Sequence, residues 1–320
     1  MNILVTGCCG FIGYNFSKYL LANNKNNLVI GIDSIDNYYS QRLKRDRLKI
    51  LKKNKNFVFF KFNLKNKKLL RKIYKDNKIN IVFHFAAQAG VRFSFINPKK
   101  YLDSNILGFF NLLEVSKEFK VKKIIFSSSS SVYGDNKKLP LSESENYKEK
   151  NLYAITKTFN EKLSKVYSEK YSIKIIGLRL FTVYGEWGRP DMLIIKYINS
   201  SVKKKPFFLN NYGNHLRDFT YIKDVVKIID RLSKVNFLKR YQVFNICSSK
   251  PIHLKKILKE LNKHFAKPKI IEVERDFSDV LNTHGSNKRL LKVIGKFNFT
   301  DFKTGIFRLC RWYKDYYKLG

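Results

Sequence analysis

The chain opens Met1-Asn2-Ile3-Leu4-Val5-Thr6 and runs at once into Gly7-Cys8-Cys9-Gly10-Phe11-Ile12-Gly13, a G-x-x-G-x-x-G loop that leads into an amphipathic stretch starting near Ile12. Few features restrict a fold more. A strand that stops in spaced glycines and resumes as helix needs a backbone that turns tightly, and the helix N-terminus then offers free N–H groups to a pyrophosphate. Asp33 closes the next apolar run about twenty residues on, where a carboxylate bonds both ribose hydroxyls of a dinucleotide and repels a 2′-phosphate, so NAD is expected over NADP. Asn63-Leu64, after the third apolar run, are placed beside the adenine.

The first half of the chain keeps alternating in this way. Apolar runs at Ile3 to Thr6, Leu28 to Ile32, Phe57 to Phe62, Ile81 to Phe85, Lys123 to Ser127 and Ile173 to Leu180 are separated by helix-like stretches at Ile12 to Asn23, Leu69 to Asn77, Lys99 to Phe119 and Tyr153 to Tyr171. Strand and helix in repeated alternation predict an α/β doubly wound parallel sheet, the NAD-binding Rossmann arrangement, with ligands at the carboxyl ends of its strands. Beyond about Gly185 the alternation loosens, rejoins the sheet at Phe219 to Ile222 and Gln242 to Ile246, and ends in aromatic-rich helices. The expected domains are therefore 1–184 with 216–248 for the dinucleotide, and a smaller, discontinuous α/β lobe of 185–215 with 249–320 for the substrate.

Composition narrows the classes. With 320 residues and 44% hydrophobic content the chain has enough apolar material for a large core. Its net charge of +39 raises nucleic acid as a partner, but the lysines are spread along the chain among asparagines, as in Lys52-Lys53-Asn54-Lys55-Asn56, and solvated lysine faces are the expectation. Cys8, Cys9, Cys247 and Cys310 lack metal-ligand spacing, so reduced thiols and no metal are expected. No apolar run approaches the roughly 18 residues of a membrane span, and a cytoplasmic protein is expected.

Tyr153-Ala154-Ile155-Thr156-Lys157 is a Y-x-x-x-K, whose two ends project from one helix face. A lysine ammonium beside a phenol favours phenolate and fits the tyrosine to take a proton from a sugar hydroxyl as hydride leaves the same carbon. Alone the motif is common in so lysine-rich a chain. The serine run Ser127 to Ser131 strengthens it, because hydroxyls at the end of the fifth strand stand where an open sheet places its ligand. His84, at the end of the fourth strand, is read as a core histidine. The small residues Ala86, Ala87, Ala89 and Gly90 leave room for a flat cofactor.

On these residues the sequence resembles the extended short-chain dehydrogenases that act on nucleotide sugars, and among them UDP-glucuronate 4-epimerases. The resemblance rests on the glycine loop, Gly31-Ile32-Asp33, Asn37-Tyr38-Tyr39, Ala86 to Arg92, Ser129 to Gly134, Tyr153 with Lys157, Phe181 to Met192 and Arg217 to Tyr221. It implies Tyr153 as base, Lys157 as its electrostatic partner and Ser129 as proton relay. The cofactor would be lined by Gly7, Gly10, Phe11, Ile12, Gly13, Asp33, Asn37, Asn63, Leu64, Phe85, Ala86, Ala87, Gln88, Ser104, Ser127, Phe181 and Val183, with Tyr153 and Lys157. The substrate would meet Arg92, Ser129, Ser130, Ser131, Thr182, Arg189, Met192, Phe208, Asn210, Arg217 and Arg275, with Arg217 at the phosphates and Phe208 to Asn210 passing the uracil. A twofold dimer through Lys99 to Phe119 and Tyr153 to Tyr171 is also implied.

The implied reaction is transient oxidation at C4, turnover of the 4-keto sugar and return of hydride to the other face, for surface polysaccharide. Related dehydratases place Asp-Glu where Ser130 and Ser131 stand, and decarboxylases a Glu at the Ser131 position; neither acid is present. A 4-keto uronic acid loses carbon dioxide once its carboxylate aligns with the carbonyl, so an epimerase must hold that group aside, and Arg189 suits a bidentate grip. The alternatives are a 4-epimerase of neutral or N-acetylated UDP-sugars, a dehydratase or decarboxylase, and an NAD-bound module that binds nucleic acid through its charge. The chain departs from the family pattern at Asn63, usually Asp, at Lys223, usually acidic, and at Phe277-Ser278-Asp279-Val280 and His284-Gly285-Ser286, which weakens the assignment of Arg275 to the phosphates.

Overall fold

The computed structural model describes residues 1–23, 26–136 and 138–319. Among the described residues twelve strands follow one another: β1 Asn2–Thr6, β2 Leu28–Asp33, β3 Phe57–Lys61, β4 Ile81–His84, β5 Lys123–Ser129, β6 Lys174–Leu180, β7 Thr182–Tyr184, β8 Phe207–Asn210, β9 Leu216–Tyr221, β10 Tyr241–Ile246, β11 Pro251–His253 and β12 Ile270–Val273. Seven form the central sheet, in the order β10-β6-β5-β4-β1-β2-β3. From β3 to β5 every neighbouring pair is parallel. Parallel strands are covered on both faces by helices, which is why they are nearly continuous in Ile, Val, Leu and Phe. Leu4, Ile30, Val82, Ile124 and Ile175 build one buried face against Leu70, Ile73, Tyr74, Phe109, Leu112 and Leu113 of the helices Lys67–Asn77 and Gly108–Glu118.

Strand order reverses between β1 and β4, the switch point at which ligands of such sheets bind. The glycine loop leaves β1 there, and the segment Phe85 to Gly90 leaves β4 beside it. Among the described residues, no helix is long and apolar enough to cross a membrane.

Two expectations change. The helix expected over Lys99 to Phe119 runs as Pro98–Tyr101, a π-helical turn Leu102–Leu107, and Gly108–Glu118. The wide turn, closed by the Gly108 amide on the Asp103 carbonyl, brings Asn105 into the interior, where it bonds the backbone of Gln88. The segment Phe219 to Ile222 does not rejoin the central sheet: β9 pairs antiparallel with β11 and parallel with β7. The buried Asp218 carboxylate ties β9 there, accepting from the Ser248 amide at 3.0 Å, the Ser248 hydroxyl at 2.8 Å and the Gly285 amide at 3.1 Å. A helix at Gln41–Lys52, capped by the Ser40 hydroxyl on the Leu43 amide, was hidden by its mostly charged sequence.

The chain divides into two compact units. One comprises Met1–Gly134, Asn146–Arg179 and Ser233–Phe244; the other comprises Asp135–Glu145, Leu180–Leu232 and Asn245–Gly320. In the second, the aromatic run of the helix Phe302–Tyr317 packs on Trp187, with ring centroids 5.3 Å from Trp312 and 5.0 Å from Tyr316. Leu112→Ala in the first unit empties a fully buried site. It should lower unfolding free energy by about 3 kcal/mol, read from the urea midpoint.

Candidate functional site

The glycine loop is shaped by two contacts that no side chain tolerates. Gly7 has φ +71°, and a Cβ on it would stand 2.6 Å from the Ala86 amide nitrogen; a Cβ on Gly13 would stand 2.2 Å from the Gly7 carbonyl oxygen. The helix Phe11–Asn23 is thereby seated on the end of β1 with its N-terminus at the switch point. The Gly7 amide donates to Ile32 at 2.7 Å, and the Gly10 amide to Gly7 at 2.9 Å. From below, the buried Arg47 donates through Nη1 to the Cys9 carbonyl and to the Tyr39 hydroxyl, each at 2.8 Å.

Asp33 ends β2 beside this loop. Its Oδ2 accepts from the Cys9 amide at 2.9 Å and its Oδ1 from the Ile35 amide at 2.8 Å. Burial pushes the carboxyl up, and those two amides with the charge of Lys44 pull it down. Cys8, Cys9 and Asp33 place one donor atom each within 4.8 Å. Burial holds the Cys8 thiol far above its ordinary value, which keeps it protonated and inert.

The segment after β4 is fixed from several sides. The Phe85 amide donates to Thr6 at 3.1 Å. His84 meets the Thr6 hydroxyl through Nδ1 at 2.8 Å. Burial, then the charge of Lys157, pull its pKa down to about 3, so it stays neutral, as a core histidine does. Asn105 accepts from the Gln88 amide at 2.8 Å and donates to the Gln88 carbonyl and the Thr156 hydroxyl, each at 3.0 Å. Sequence reasoning missed Asn105, because it lies within an apolar helical run that gave no sign of the π turn. Farther out, Leu64 is buried with its carbonyl on Asn111 Nδ2 at 3.0 Å; Asn63 Oδ1 accepts from the Lys65 amide at 3.0 Å, and Asn37 Oδ1 from Lys100 Nζ at 3.3 Å. Ser104 is half-buried on the π turn, and Arg92 is exposed at the start of the short helix Phe93–Ile96.

Tyr153 and Lys157 lie one turn apart on the helix Leu152–Tyr171, which the Asn151 side chain caps on the Ala154 amide. Lys157 Nζ donates to the Ser127 carbonyl at 2.8 Å and lies 5.8 Å from the centre of the Tyr153 ring. Burial lowers the lysine to about 8, while Glu161 holds it up. Ser129, buried at the end of β5, accepts from the Ser131 amide at 3.1 Å and donates to the Ser131 hydroxyl at 3.0 Å. Ser130 and Ser131 begin the 3-10 turn Ser130–Tyr133. This unit thus holds the glycine loop, the Asp33 carboxylate, the Tyr153–Lys157 pair and the serine run.

The other compact unit holds the remaining candidates. Phe181 and Val183 are buried, and Thr182 is half-buried between them. Arg189 meets Asp191 in a two-pronged pair, Nε to Oδ1 at 3.0 Å and Nη2 to Oδ2 at 2.5 Å; the Met192 amide donates to the Arg189 carbonyl at 3.2 Å. Phe208 is exposed on β8, and Asn210 ends that strand. Arg217 Nη1 donates to Leu281 at 2.7 Å and Nη2 to Val280 at 2.6 Å, with burial lowering its pKa to about 10. Arg275 pairs with Asp135 at 3.2 Å.

The model of the NAD dependent epimerase/dehydratase family matches residues 3–247. The protein CapI of Staphylococcus aureus is 39% identical over 340 residues, covering 99% of this chain and all of that one. UDP-glucuronate 4-epimerase 4 of Arabidopsis thaliana is 36% identical over 336 residues, covering 99% of this chain and 76% of its own. The crystal structure of UDP-glucuronic acid 4-epimerase from Bacillus cereus, in complex with UDP-glucuronic acid and NAD, superposes with TM-score 0.93 at 30% identity, covering 99% of this chain and all of the other.

The residues present fit NAD: a side-chain-free turn under a helix N-terminus suits a pyrophosphate, and a carboxylate at the end of β2 suits ribose hydroxyls. Gly13→Ala should leave a folded protein that purifies with little or no NAD, measured by the absorbance ratio at 260 and 280 nm and by circular dichroism.

Proposed function

This chain belongs to the NAD dependent epimerase/dehydratase family, is an NAD-dependent nucleotide-sugar epimerase, and from that premise we propose that it interconverts UDP-glucuronate and UDP-galacturonate at C4, supplying a uronate for surface polysaccharide. The serine run carries this reading. Ser127, Ser128 and Ser129 close β5 with buried hydroxyls, and no carboxylate of the run itself is present to expel water or assist decarboxylation. The relatives named for UDP-glucuronate support the same choice.

Bound NAD supplies the acceptor, and then the donor, of a hydride at C4. Its holders would be the glycine loop and Asp33, with Lys157 by the second ribose. Tyr153 takes the proton of the 4-hydroxyl as the C4 hydride leaves, and gives it back to the same oxygen once the 4-keto sugar has turned over and the hydride has returned to the other face of C4, helped by the Lys157 charge. The Ser129 hydroxyl relays that proton. Arg189, exchanging its pair with Asp191, grips the C6 carboxylate with Thr182, turning it out of line with the 4-keto π system and so preserving it. Arg217 neutralises phosphate charge, and residues Phe208 to Asn210 flank the uracil. In this reading residues 1–184 with 216–248 chiefly serve the cofactor, Arg217 being given to the sugar nucleotide, and 185–215 with 249–320 serve the nucleotide sugar.

A twofold dimer belongs to the same proposal. Ile155, Phe159 and Val166 are exposed along one helix, and Leu102, Leu107 and Phe110 along another. Phe159→Glu should halve the mass seen by light scattering.

Purified protein given UDP-glucuronate, with no NAD added, should yield UDP-galacturonate and no UDP-pentose by proton NMR. A pentose product overturns the carboxylate grip; turnover of UDP-glucose with UDP-glucuronate untouched overturns the uronate. Tyr153→Phe should lose on the order of 10²- to 10⁴-fold in kcat.

A further inference from the structure

Behind the dyad lies a pair of charges that the proposed chemistry does not use. Arg179 on β6 and Glu161 on the helix Leu152–Tyr171 have side chains 3% and 0% exposed. Nε donates to Oε1 at 3.0 Å and Nη2 to Oε2 at 2.7 Å. Taking two ions out of water costs several kcal/mol each, so a pair this deep persists only when its other lone pairs and protons are satisfied. The partners that satisfy it come from the catalytic segment and its surroundings. Ser128 Oγ donates to Glu161 Oε1, Tyr147 donates to Oε2 at 2.9 Å, and Arg179 Nη1 donates to the Tyr133 hydroxyl at 2.8 Å.

Ser128 lies between Ser127, whose carbonyl receives Lys157, and Ser129. Tyr133 closes the 3-10 turn at the far end of the same segment. Glu161 follows Tyr153 by eight residues and Lys157 by four, so it projects from their helix face.

We propose that the Glu161–Arg179 pair is a positioning element of the epimerase: it fixes the Ser127–Tyr133 segment against the helix of Tyr153 and Lys157, and it stands as the negative charge behind the lysine. The proposal rests on the roles given above to Tyr153, Lys157 and Ser129. Tyr153 and Glu161 share the helix of Lys157, the Ser127 carbonyl comes from β5, neutral His84 from β4, and Arg179 of β6 pairs with Glu161. Burial lowers the lysine's pKa, to about 8, and the carboxylate opposes that fall. Lys157 is charged below its pKa and loses its charge as pH rises through it, so an enzyme that needs the ammonium loses rate on the alkaline side.

The test compares Glu161→Gln, the charge-neutral double variant Glu161→Gln/Arg179→Gln, Ser128→Ala and Tyr133→Phe with wild type. Turnover is followed on UDP-glucuronate, or on UDP-glucose should wild type accept only that, so that loss of the uronate reading leaves the comparison intact. Glu161→Gln should lower kcat at least 10-fold with KM within about twofold, and move the alkaline limb of kcat down by on the order of one pH unit. Ser128→Ala and Tyr133→Phe should lower kcat several-fold with the limb in place. The Lys157 titration is read independently of turnover by NMR on ¹⁵N-lysine-labelled protein, with Lys157→Arg assigning the signal, and should fall in step with the limb. Should Glu161→Gln fail to fold, the double variant, which leaves no lone buried charge, decides. A pair that is only structural lowers thermal stability and leaves the limb, the lysine titration and kcat at wild-type values, and that result overturns the proposal.

Discussion

Two backbones meet at the switch point of the central sheet with no room for a methyl group between them. Gly7 passes under Ala86, and Gly13 rests on the Gly7 carbonyl. Everything that defines the cofactor side follows from that approach. It sets the helix N-terminus at the end of β1, brings the Cys9 amide onto Asp33, and leaves the segment after β4 close enough to be held by Thr6 and Asn105. A larger residue at either glycine would move the helix, and the carboxylate, the loop and the β4 segment would lose their common frame.

The catalytic half depends on a second constraint, helical periodicity. Tyr153, Lys157 and Glu161 recur every four residues, so one face of one helix carries the phenol, the ammonium and the carboxylate in a column. Two of them meet β5 at successive residues: Lys157 reaches the Ser127 carbonyl and Glu161 the Ser128 hydroxyl. The buried ion pair ties this helix to β6 with paired bonds whose directions leave little freedom.

How much of this was legible in the sequence follows from the range of each interaction. The seven strands of the central sheet, the glycine loop, Asp33 and the Y-x-x-x-K were legible because they are written in residues near one another and obey short periods, whereas the short strands β7, β8, β11 and β12 were not read. The π turn at Leu102–Leu107 was not, since it answers to a tertiary demand, the burial of Asn105 against Gln88 and Thr156. The pairing of β9 was misread for a similar reason: its apolar character fits any sheet, and the choice is made by Asp218 and partners thirty and sixty-seven residues away. Glu161 left a faint trace in its spacing from Lys157, but Arg179 and Tyr133 enter only through the fold.

The large positive charge also acquires a physical account. A chain with 64 lysines and arginines must keep nearly all of them in water. Among the described residues, the buried ones are Lys44, Arg47, Lys157 and Arg179. None is idle. Lys44 pairs with Asp36 at 3.0 Å just after β2, Arg47 props the Cys9 carbonyl of the glycine loop, Lys157 serves the dyad, and Arg179 anchors Glu161. The cations withdrawn from solvent are therefore those that hold the glycine loop, the segment after β2 and the helix of Tyr153 and Lys157 within one unit. The surplus remains outside, where ionic strength screens it within about 8 Å, and it places little demand on the interior that does the chemistry.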